Sequence, residues 1–472
     1  MNRKLPFIVG LICFAAVTAA AAQQNPPGSG WTTGMQFQNV GGGTADIRLY
    51  LYTPDGSPID CGARTAAPFA SVNYLTDVHC GALPGFGGSA VVESTEPLRG
   101  IVHINNADTG QAGGIYNGTT LGEVSNTLLF PLVKHNHFGR TTSFYIQNAS
   151  DTPANLTATF IVNGSTFSKS YLNVPPNAMV VATPADAGVP AGNGQVGSLT
   201  VTGNQPLAGT VLEHEQAAAV AENLQAAKAF TPADYDDKVY CPLFRNDHGS
   251  SHITTGAQVQ NVSGIAQTVT LVYKPRDGGG TVTKSLNVQP GASVTFYAPF
   301  FGVPAGSVGS VTITGAGNIL AVVNDKGTQG GLDRTTTYAC FPAKKATNEV
   351  VLPLYKEYWK GNMTGIQIQN VSETGSVANI ELTYLATNNG ANVTVETGSP
   401  VAAGSSTTFF GVSDQIFPTN MVVVSGNPAD LDSTYGAVII SSNTPIVAIA
   451  NESGFGPGAS LQDSKNYEGF NQ

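Results

Sequence analysis

The chain has 472 residues, a formal net charge of −10 and only 11% charged residues. Its length allows several domains, while its acidic charge argues against nucleic acid and anionic membrane surfaces as partners. Ser, Thr, Asn, Gln and 55 glycines fill the polar positions, a composition that is common in extracellular β proteins and indicates no particular ligand.

The N-terminus has the features of a secretory signal peptide. Arg3 and Lys4 precede an apolar run over residues 5–22 that ends in alanines, so we expect cleavage before Gln23. A retained membrane anchor is the alternative, but the run is short for a membrane span. Cleavage lowers the basic count from 21 to 19 against 31 acidic residues, a net charge of −12. We therefore expect a secreted protein of the extracellular cell surface, with no membrane span in the mature chain.

Four cysteines remain after Cys13 leaves with the signal peptide. An even number in an oxidising compartment favours disulfides. Cys61 and Cys80 lie close together in the sequence, and Cys241 and Cys340 lie at the two ends of one repeat. We predict the pairs Cys61–Cys80 and Cys241–Cys340. Free or metal-binding thiols are the alternative, but no CxxC spacing supports a metal site.

An eight-residue motif ending in Gln-Asn recurs four times. The copies are residues 32–39 (TTGMQFQN), 141–148 (TTSFYIQN), 254–261 (TTGAQVQN) and 363–370 (MTGIQIQN). Their closing asparagines lie 109, 113 and 109 residues apart and are Asn39, Asn148, Asn261 and Asn370. A period this long is a whole domain and not a solenoid unit. The sequence therefore predicts a tandem array, in which the repeated asparagines make a structural hydrogen bond.

Each motif is followed by a strand with alternating apolar residues and then by a turn. The apolar triples are Ile47, Leu49, Leu51; Leu156, Ala158, Phe160; Val269, Leu271, Tyr273; and Ile380, Leu382, Tyr384. The turns are Asp55-Gly56, Asn163-Gly164, Asp277-Gly278 and Asn389-Gly390. Period-2 alternation followed by Asn-Gly or Asp-Gly predicts a β-hairpin in every copy.

The repeats set the domain boundaries. We expect a signal peptide over residues 1–22 and β-sandwich repeats over residues 23–125, 126–236, 237–346 and 347–472. About seven short strands per repeat, with turns roughly every 8–12 residues, predict an all-β protein of four tandem immunoglobulin-like antiparallel β-sandwiches. Residues 216–228 (QAAAVAENLQAAK) are rich in helix formers and predict a short linker helix in repeat 2.

The combined pattern resembles tandem modules of large secreted bacterial surface proteins. Repeat 4 shows its pieces in order: Leu352-Pro353-Leu354, Tyr358-Trp359, residues 364–370, Leu382-Thr383-Tyr384, Ala450-Asn451-Glu452 and Tyr467-Glu468-Gly469-Phe470. The resemblance covers nearly all of the mature chain and implies architecture, with no catalytic residue set. Repeat 2 departs most, with Ser143 in place of the motif glycine and Glu213-His214-Glu215 at a strand end.

Aromatic residues before the Gln-Asn strand are the candidate binding residues. They are Trp31, Phe138 and Trp359, with His252 in the same place in repeat 3. Exposed aromatics at one structural position suit sugars or a protein pocket. The alternative is that they plug the end of each sandwich.

No metal site or cofactor is predicted. His135 and His137, and the Glu213-His214-Glu215 segment, lack a third ligand at recognisable spacing. Polar pairs at the repeat ends suit either calcium or the capping of a strand end, and they are Asn105-Asn106, Asn324-Asp325 and Asn451-Glu452. No carboxylate pair recurs in the pattern of a glycosidase.

These features favour a non-enzymatic structural protein, a rod of tandem β-sandwiches in a bacterial surface layer, sheath or filament. The alternative is an adhesin or carbohydrate-binding array, in which weak repeated sites gain avidity. The expected partners are further copies of the chain or other cell-surface proteins, and for the alternative also glycans.

Repeat 1 differs from the others at its start. Strands of the Leu-Pro-Leu type precede repeats 2, 3 and 4, whereas residues 23–31 (QQNPPGSGW) lack apolar alternation. We therefore expect repeat 1 of the mature chain to lack one edge strand and to invite strand addition. The C-terminal tail after Glu452 is a weak candidate donor, and the alternative is that the loop closed by Cys61–Cys80 covers the edge.

Overall fold

A computed structural model describes residues 5–9, 26, 29–81, 86–106, 113–215, 223–329, 332–454 and 464–472. The protein is all-β, with antiparallel sheets throughout. Its helical segments within this part of the chain are short: α1 (Thr76–His79) and the 3-10 turns Pro232–Asp234, Ala298–Phe301, Ala343–Lys345 and Pro428–Leu431. The prediction of an all-β fold with antiparallel sheets is therefore confirmed.

The strands follow the sequence repeats. Repeat 1 contains β1 (Leu5–Val9), β2 (Trp31–Asn39), β3 (Ala45–Tyr52), β4 (Pro58–Ala66), β5 (Ser71–Leu75), β6 (Ser89–Ser94), β7 (Leu98–Asn106), β8 (Gly113–Asn117) and β9 (Thr119–Thr120). Repeat 2 contains β10 (Ser125–Lys134), β11 (Arg140–Asn148), β12 (Ala154–Val162), β13 (Ser165–Val174), β14 (Met179–Ala182), β15 (Val196–Glu215) and β16 (Gln225–Lys228). Repeat 3 contains β17 (Asp236–Asn246), β18 (Thr254–Asn261), β19 (Gln267–Pro275), β20 (Val282–Val288), β21 (Ser293–Tyr297), β22 (Ser307–Gln329), β23 (Leu332–Ala339) and β24 (Phe341–Pro342). Repeat 4 contains β25 (Thr347–Glu357), β26 (Asn362–Asn370), β27 (Ile380–Ala386), β28 (Asn392–Glu396), β29 (Ser406–Phe409), β30 (Val422–Ser425), β31 (Thr434–Gly454), β32 (Ser464–Glu468) and β33 (Phe470–Asn471).

One pairing scheme recurs in all four repeats. The Gln-Asn strand (β2, β11, β18 or β26) pairs on one side with a short strand (β5, β14, β21 or β29) and on the other with a long strand (β7, β15, β22 or β31). The long strand also pairs with the alternating strand in repeats 2, 3 and 4. In repeat 1 residues 95–97 interrupt it, so that β6 and β7 lie in separate sheets of order β4-β3-β6-β1-β9 and β5-β2-β7-β8.

All four predicted hairpins are present. The pairs are β3–β4, β12–β13, β19–β20 and β27–β28. Asn163 and Gly164 both have positive φ, 50° and 76°, as a tight turn between twisted strands requires. The alternating apolar triples are all buried, because successive side chains of a strand point to opposite faces. The predicted inward faces are therefore confirmed.

The chain divides into two compact units. Unit 1 contains residues 1–234 with 291–293, and unit 2 contains residues 235–290 with 294–472. Within unit 1, Tyr145 and Leu212 of repeat 2 belong to the hydrophobic cluster that contains Phe37 of repeat 1. Within unit 2, Val447 and Ile449 of repeat 4 belong to the main cluster of repeat 3. Each repeat thus shares a hydrophobic cluster with one neighbour.

The cysteines form the two expected bonds, Cys61–Cys80 and Cys241–Cys340. The first joins β4 to the residue that follows α1. The second joins β17 to the residue between β23 and β24. They close loops with sequence separations of 19 and 99 residues.

Two predictions about segments near repeat ends are wrong. Gln225–Lys228 form β16 and not a helix, Asn223 and Leu224 belong to no helix or strand, and residues 216–222 lie outside the described residues. β16 pairs with residues 210–213 of β15 and buries Ala226 and Ala227, so pairing and burial outweigh helix propensity. The described end of the C-terminal tail is not a spare donor, because β32 pairs with β31 and β33 pairs with β25.

The strand that we expect to be missing from repeat 1 of the mature chain does not lie at a sheet edge, and this part of the prediction is wrong. Residues 5–9, which we assign to the signal peptide, form β1 and pair with β6 on one side and β9 on the other. The position is therefore internal to a sheet, between two neighbours. The continuous apolar run of this segment (LPFIV) suits it to an internal strand as well as to export.

Candidate functional site

The turn before β11 carries the most exposed of the predicted binding residues. His137 and Arg140 exchange backbone hydrogen bonds of 2.9 and 3.1 Å across Phe138 and Gly139. Both turn residues have positive φ, and the Phe138 side chain is 74% exposed. Its ring lies 4.6 Å from the His137 ring. This turn therefore presents an aromatic–imidazole pair to solvent.

The other predicted binding residues occupy different positions. Trp359 lies one residue before the equivalent two-residue turn, is half-buried, and packs 4.8 Å from the ring of Tyr435. His252 lies in a longer loop, where its Nδ1 is 2.7 Å from the carboxylate of exposed Asp247. Trp31 lies within β2 and is only 6% exposed.

The prediction of one shared, exposed aromatic position is therefore wrong. The turns differ in length between repeats, so equal distance from the motif in sequence does not give an equal place in the structure. Trp31 belongs to the hydrophobic cluster of unit 1, which fits the plug alternative for that residue. Phe138 alone of the four aromatic positions combines high exposure with an aromatic neighbour.

A buried ion cluster lies beneath the turn of repeat 2. The Glu213 carboxylate is 2.8 Å from Lys134 Nζ and 2.9 Å from Arg140 Nε, and Arg140 Nη1 is 2.7 Å from Glu215. Burial on its own would raise the pKa of Glu213, but the two cations outweigh it and lower that pKa to about 2. Glu213 is thus a permanently charged group, which makes it unsuited to general acid–base work near neutral pH.

Equivalent pairs occur in repeats 3 and 4. Arg245 binds Asp325, which also accepts a hydrogen bond from Thr255. In repeat 4, Lys356 Nζ is 2.7 Å from Glu452. The carboxylates pair in register with a threonine of the Gln-Asn strand in all three repeats: Glu213 with Thr142, Asp325 with Thr255 and Glu452 with Thr364.

These pairs were missed in the sequence, although a signal exists. The bases Lys134, Arg245 and Lys356 each lie three residues after the proline of a Leu-Pro-Leu-type strand, at intervals of 111 residues. Repeat 1 has Ile104 at the register of the acids, opposite Thr33. Residues 10–30 contain no charged residue. Repeat 1 therefore lacks both members of the ion pair, the acid and the base.

Ser143 and His214 form a second polar contact in repeat 2. The Ser143 hydroxyl is 3.1 Å from His214 Nε2, and His214 Nδ1 is 2.8 Å from the Glu215 carbonyl oxygen. The carbonyl can only accept, so Nδ1 carries the proton and Ser143 donates to Nε2. Burial lowers the pKa of His214, which favours this neutral form. Both side chains are buried, with Ser143 at 0% exposure, so the serine is out of reach of a substrate.

Both histidines of the pair singled out in the sequence make hydrogen bonds with backbone groups. His135 Nδ1 is 2.8 Å from the Val189 carbonyl oxygen, and His137 Nδ1 accepts from the Gly194 N–H at 2.9 Å. In the part of the chain that the structure describes, no three His, Cys, Asp or Glu side chains are grouped to hold a metal ion. Over the same residues, no helix has the length and apolar character needed to cross a bilayer.

The motif asparagines make the same contacts in all four repeats. Asn261 Nδ2 donates to the carbonyls of Ile265 at 2.7 Å and Val288 at 3.0 Å, and its Oδ1 accepts from the Ser263 N–H at 2.9 Å. Asn39, Asn148 and Asn370 make the equivalent bonds, and all four side chains are fully buried. Each asparagine thus ties the end of its strand to two other segments, as the structural interpretation predicts.

No protein-family description matches the sequence, and no curated protein matches it. Three solved structures show a distant likeness. Thermotoga maritima 1070 is 11% identical over 23% of this chain and 94% of its own, with a TM-score of 0.21. A glycoside hydrolase family 32 protein from Bifidobacterium adolescentis is 10% identical over 90% and 98%, with a TM-score of 0.15. The Bacteroides ovatus mixed-linkage glucan utilization locus protein SGBP-B is 10% identical over 93% and 99%, with a TM-score of 0.11.

Proposed function

We propose that this protein is a non-enzymatic structural component of a bacterial cell surface, in a layer, sheath or filament. In this proposal the four repeats are immunoglobulin-like β-sandwiches, exported and stabilised by disulfides. The observation that carries it is the fourfold use of one buried asparagine arrangement in one pairing scheme. The asparagine side chains that recur in every repeat make internal hydrogen bonds, as expected of a repeated structural module.

The ion pairs support the same proposal. A reactive site needs a titratable group that can change its protonation state near neutral pH and can touch a substrate. Glu213 has a pKa of about 2 and is buried, and Asp325 and Glu452 are buried against cations. These groups stabilise strands and do not face a cleft.

Electron microscopy of surface material from the producing cell tests the structural function. We expect ordered arrays or filaments that an antibody against this chain decorates, and self-association of the purified mature chain in light scattering. A chain that is secreted as a dispersed monomer, with no decoration of surface structures, would contradict the proposal.

The adhesin function keeps one specific support, the exposed pair of Phe138 and His137. Aromatic side chains at exposed turns stack on sugar rings or fill pockets in a partner. A glycan array probed with the mature chain tests it, with Phe138→Ala as the variant. Phe300→Ala is the matched control, because Phe300 is 85% exposed but lies in repeat 3, outside this turn. Binding that only Phe138→Ala abolishes would favour the adhesin over the structural component.

A further inference from the structure

β1 occupies a position that the other repeats fill with their Leu-Pro-Leu-type strands. Val9 pairs with Ala90, which on its other side pairs with Leu51. In repeat 2 the corresponding trio is Phe130, Leu199 and Phe160. Repeats 3 and 4 have Cys241–Val311–Tyr273 and Leu352–Val438–Tyr384. The register of β1 is therefore that of β10, β17 and β25.

The strand is internal in every repeat. Ile8 pairs with Val91 of β6 and with Thr119 of β9, just as Tyr240 of β17 pairs with Thr312 and Phe341. Removal of β1 would leave backbone N–H and C=O groups unpaired on both of its neighbours. Buried backbone groups without partners cost free energy, so the gap would bind an added strand in preference to staying open.

The chain itself holds no replacement among its described residues. β10, β17 and β25 each pair with the long strand of their own repeat. Each is also paired on its other side: β10 with Phe230, β17 with β24, and β25 with β33. Of the tail that was a candidate donor, residues 464–468 and 470–471 form β32 and β33, and residues 455–463 lie outside the described residues. A second copy of the chain has the same described strands in use, and for this reason we place the replacement on a different polypeptide.

We propose that repeat 1 of the processed chain accepts a β-strand from another protein, which takes the place of Leu5–Val9 between β6 and β9. The donor is a free terminal segment with a continuous run of apolar residues, of the type seen in residues 128–133 (LLFPLV). The inference rests on the export and cleavage in the proposed function. The leader fills the site in the precursor, and its removal opens the site at the cell surface.

A labelled peptide of residues 126–136 (NTLLFPLVKHN) tests the acceptor site directly. We expect saturable binding to a chain that begins at Gln23, measured by fluorescence anisotropy, and at least tenfold weaker binding to the uncleaved chain, whose site is filled. The same peptide with Leu129→Pro loses a backbone N–H at the register of Ile8, which pairs on both sides, and should bind at least tenfold more weakly. A peptide of the same composition in scrambled order controls for nonspecific hydrophobic binding.

Hydrogen exchange provides a readout that does not depend on the donor's identity. Without peptide, amides of residues 90–94 in the chain that begins at Gln23 should exchange at least tenfold faster than those of residues 199–202 in repeat 2. Peptide should restore their protection. If that chain aggregates alone and becomes soluble with the peptide, the proposal also stands.

Three results would overturn the inference. They are equal peptide binding by cleaved and uncleaved chains, full protection of residues 90–94 in the cleaved chain without peptide, and a native N-terminus that still contains residues 5–9. The peptide assay separates this inference from the proposed function, since an acceptor site can be present in a protein that forms no layer or filament.

Discussion

Repeats 1 and 3 share a pairing scheme but hold their first strands in different ways. In repeat 3, β17 is bound covalently through Cys241–Cys340 and by the buried pair of Arg245 and Asp325. Tyr338 adds a third tie, because its hydroxyl donates to the Leu243 carbonyl at 2.5 Å and accepts from the Leu243 N–H at 3.1 Å.

The first strand of repeat 1, β1, has neither a disulfide nor an ion pair of this kind. The disulfide of repeat 1 joins β4 to the end of α1, and Ile104 stands at the register of the acid. Both repeats have a first strand at the same place in their sheets, so the fold uses a strand there. The disulfide and the ion pair of β17 are additions that repeat 1 does not share. We therefore expect β17 to stay in its sheet, whereas Leu5–Val9 contain no cysteine or charged residue that could hold β1 in the same way, as the proposed exchange requires.

Loss of one charge from the pair in repeat 3 should have the largest effect. Arg245→Leu leaves the Asp325 carboxylate buried without its cation, and we expect a loss of about 3–5 kcal/mol in urea unfolding. The double variant Arg245→Leu/Asp325→Ile imitates repeat 1 and should recover most of this stability. A single variant as stable as the parent would mean that the pair does not hold β17.

Core truncation should affect the two repeats alike. Leu271→Ala and Leu49→Ala remove equivalent, fully buried side chains, and each should cost about 2–5 kcal/mol in urea unfolding. Thr270→Ala is the control, because its hydroxyl bonds to Ser285 on the exposed face. A large cost for Thr270→Ala and a small one for Leu271→Ala would reverse the assigned faces of β19.

Removal of the disulfide in repeat 3 should come next. The variant Cys241→Ser/Cys340→Ser loses a cross-link that restricts the unfolded chain, and we expect a cost of about 2–4 kcal/mol. Cys61→Ser/Cys80→Ser removes a bond that closes a shorter loop, with a sequence separation of 19 instead of 99, and should cost less. Peptide mapping without reductant checks the pairing, and a Cys61–Cys241 link would refute it.

The smallest effect is a pH dependence that comes from the buried acid of repeat 2, for which repeat 1 has an isoleucine at the same register. The folded-state pKa of Glu213 is lowered to about 2, so its stabilisation is present above the unfolded value and is lost as the pH falls toward 2. From pH 5 to 3 we expect a loss of about 2 kcal/mol. Glu213→Gln should remove this dependence, and Ile104 gives repeat 1 no counterpart. An unchanged acid profile in Glu213→Gln would show that other groups dominate.

Local patterns predicted the hairpins and the buried faces because turn chemistry and alternation act over a few residues. Asn163-Gly164 specifies its turn wherever the strand lies, and Leu271 faces inward because its neighbours alternate. The buried Asn261 could be predicted as structural because the same residue ends the same strand four times. Its two carbonyl partners, Ile265 and Val288, could not, since the second lies 27 residues away.

The failures arise where tertiary pairing decides. Gln225–Lys228 has helix formers but pairs with β15, and Leu5–Val9, which we predict to belong to an export signal, pairs with β6 as an internal strand that the sequence did not indicate. The aromatic set failed because turn length differs: Phe138 lies in its turn, while Trp31 lies in a strand. Only partners distant in sequence fix these positions, and no single segment encodes them.

The Cys241–Cys340 bond also has a mechanical consequence. It bridges 99 residues between the first strand and the end of repeat 3, so tension applied along the chain passes through the bond and bypasses the enclosed loop. Fully extended, such a loop would add about 330 Å of contour length at roughly 3.3–3.6 Å per residue. In the oxidised protein repeat 3 is therefore an inextensible link, and reduction turns the same segment into a reserve of length.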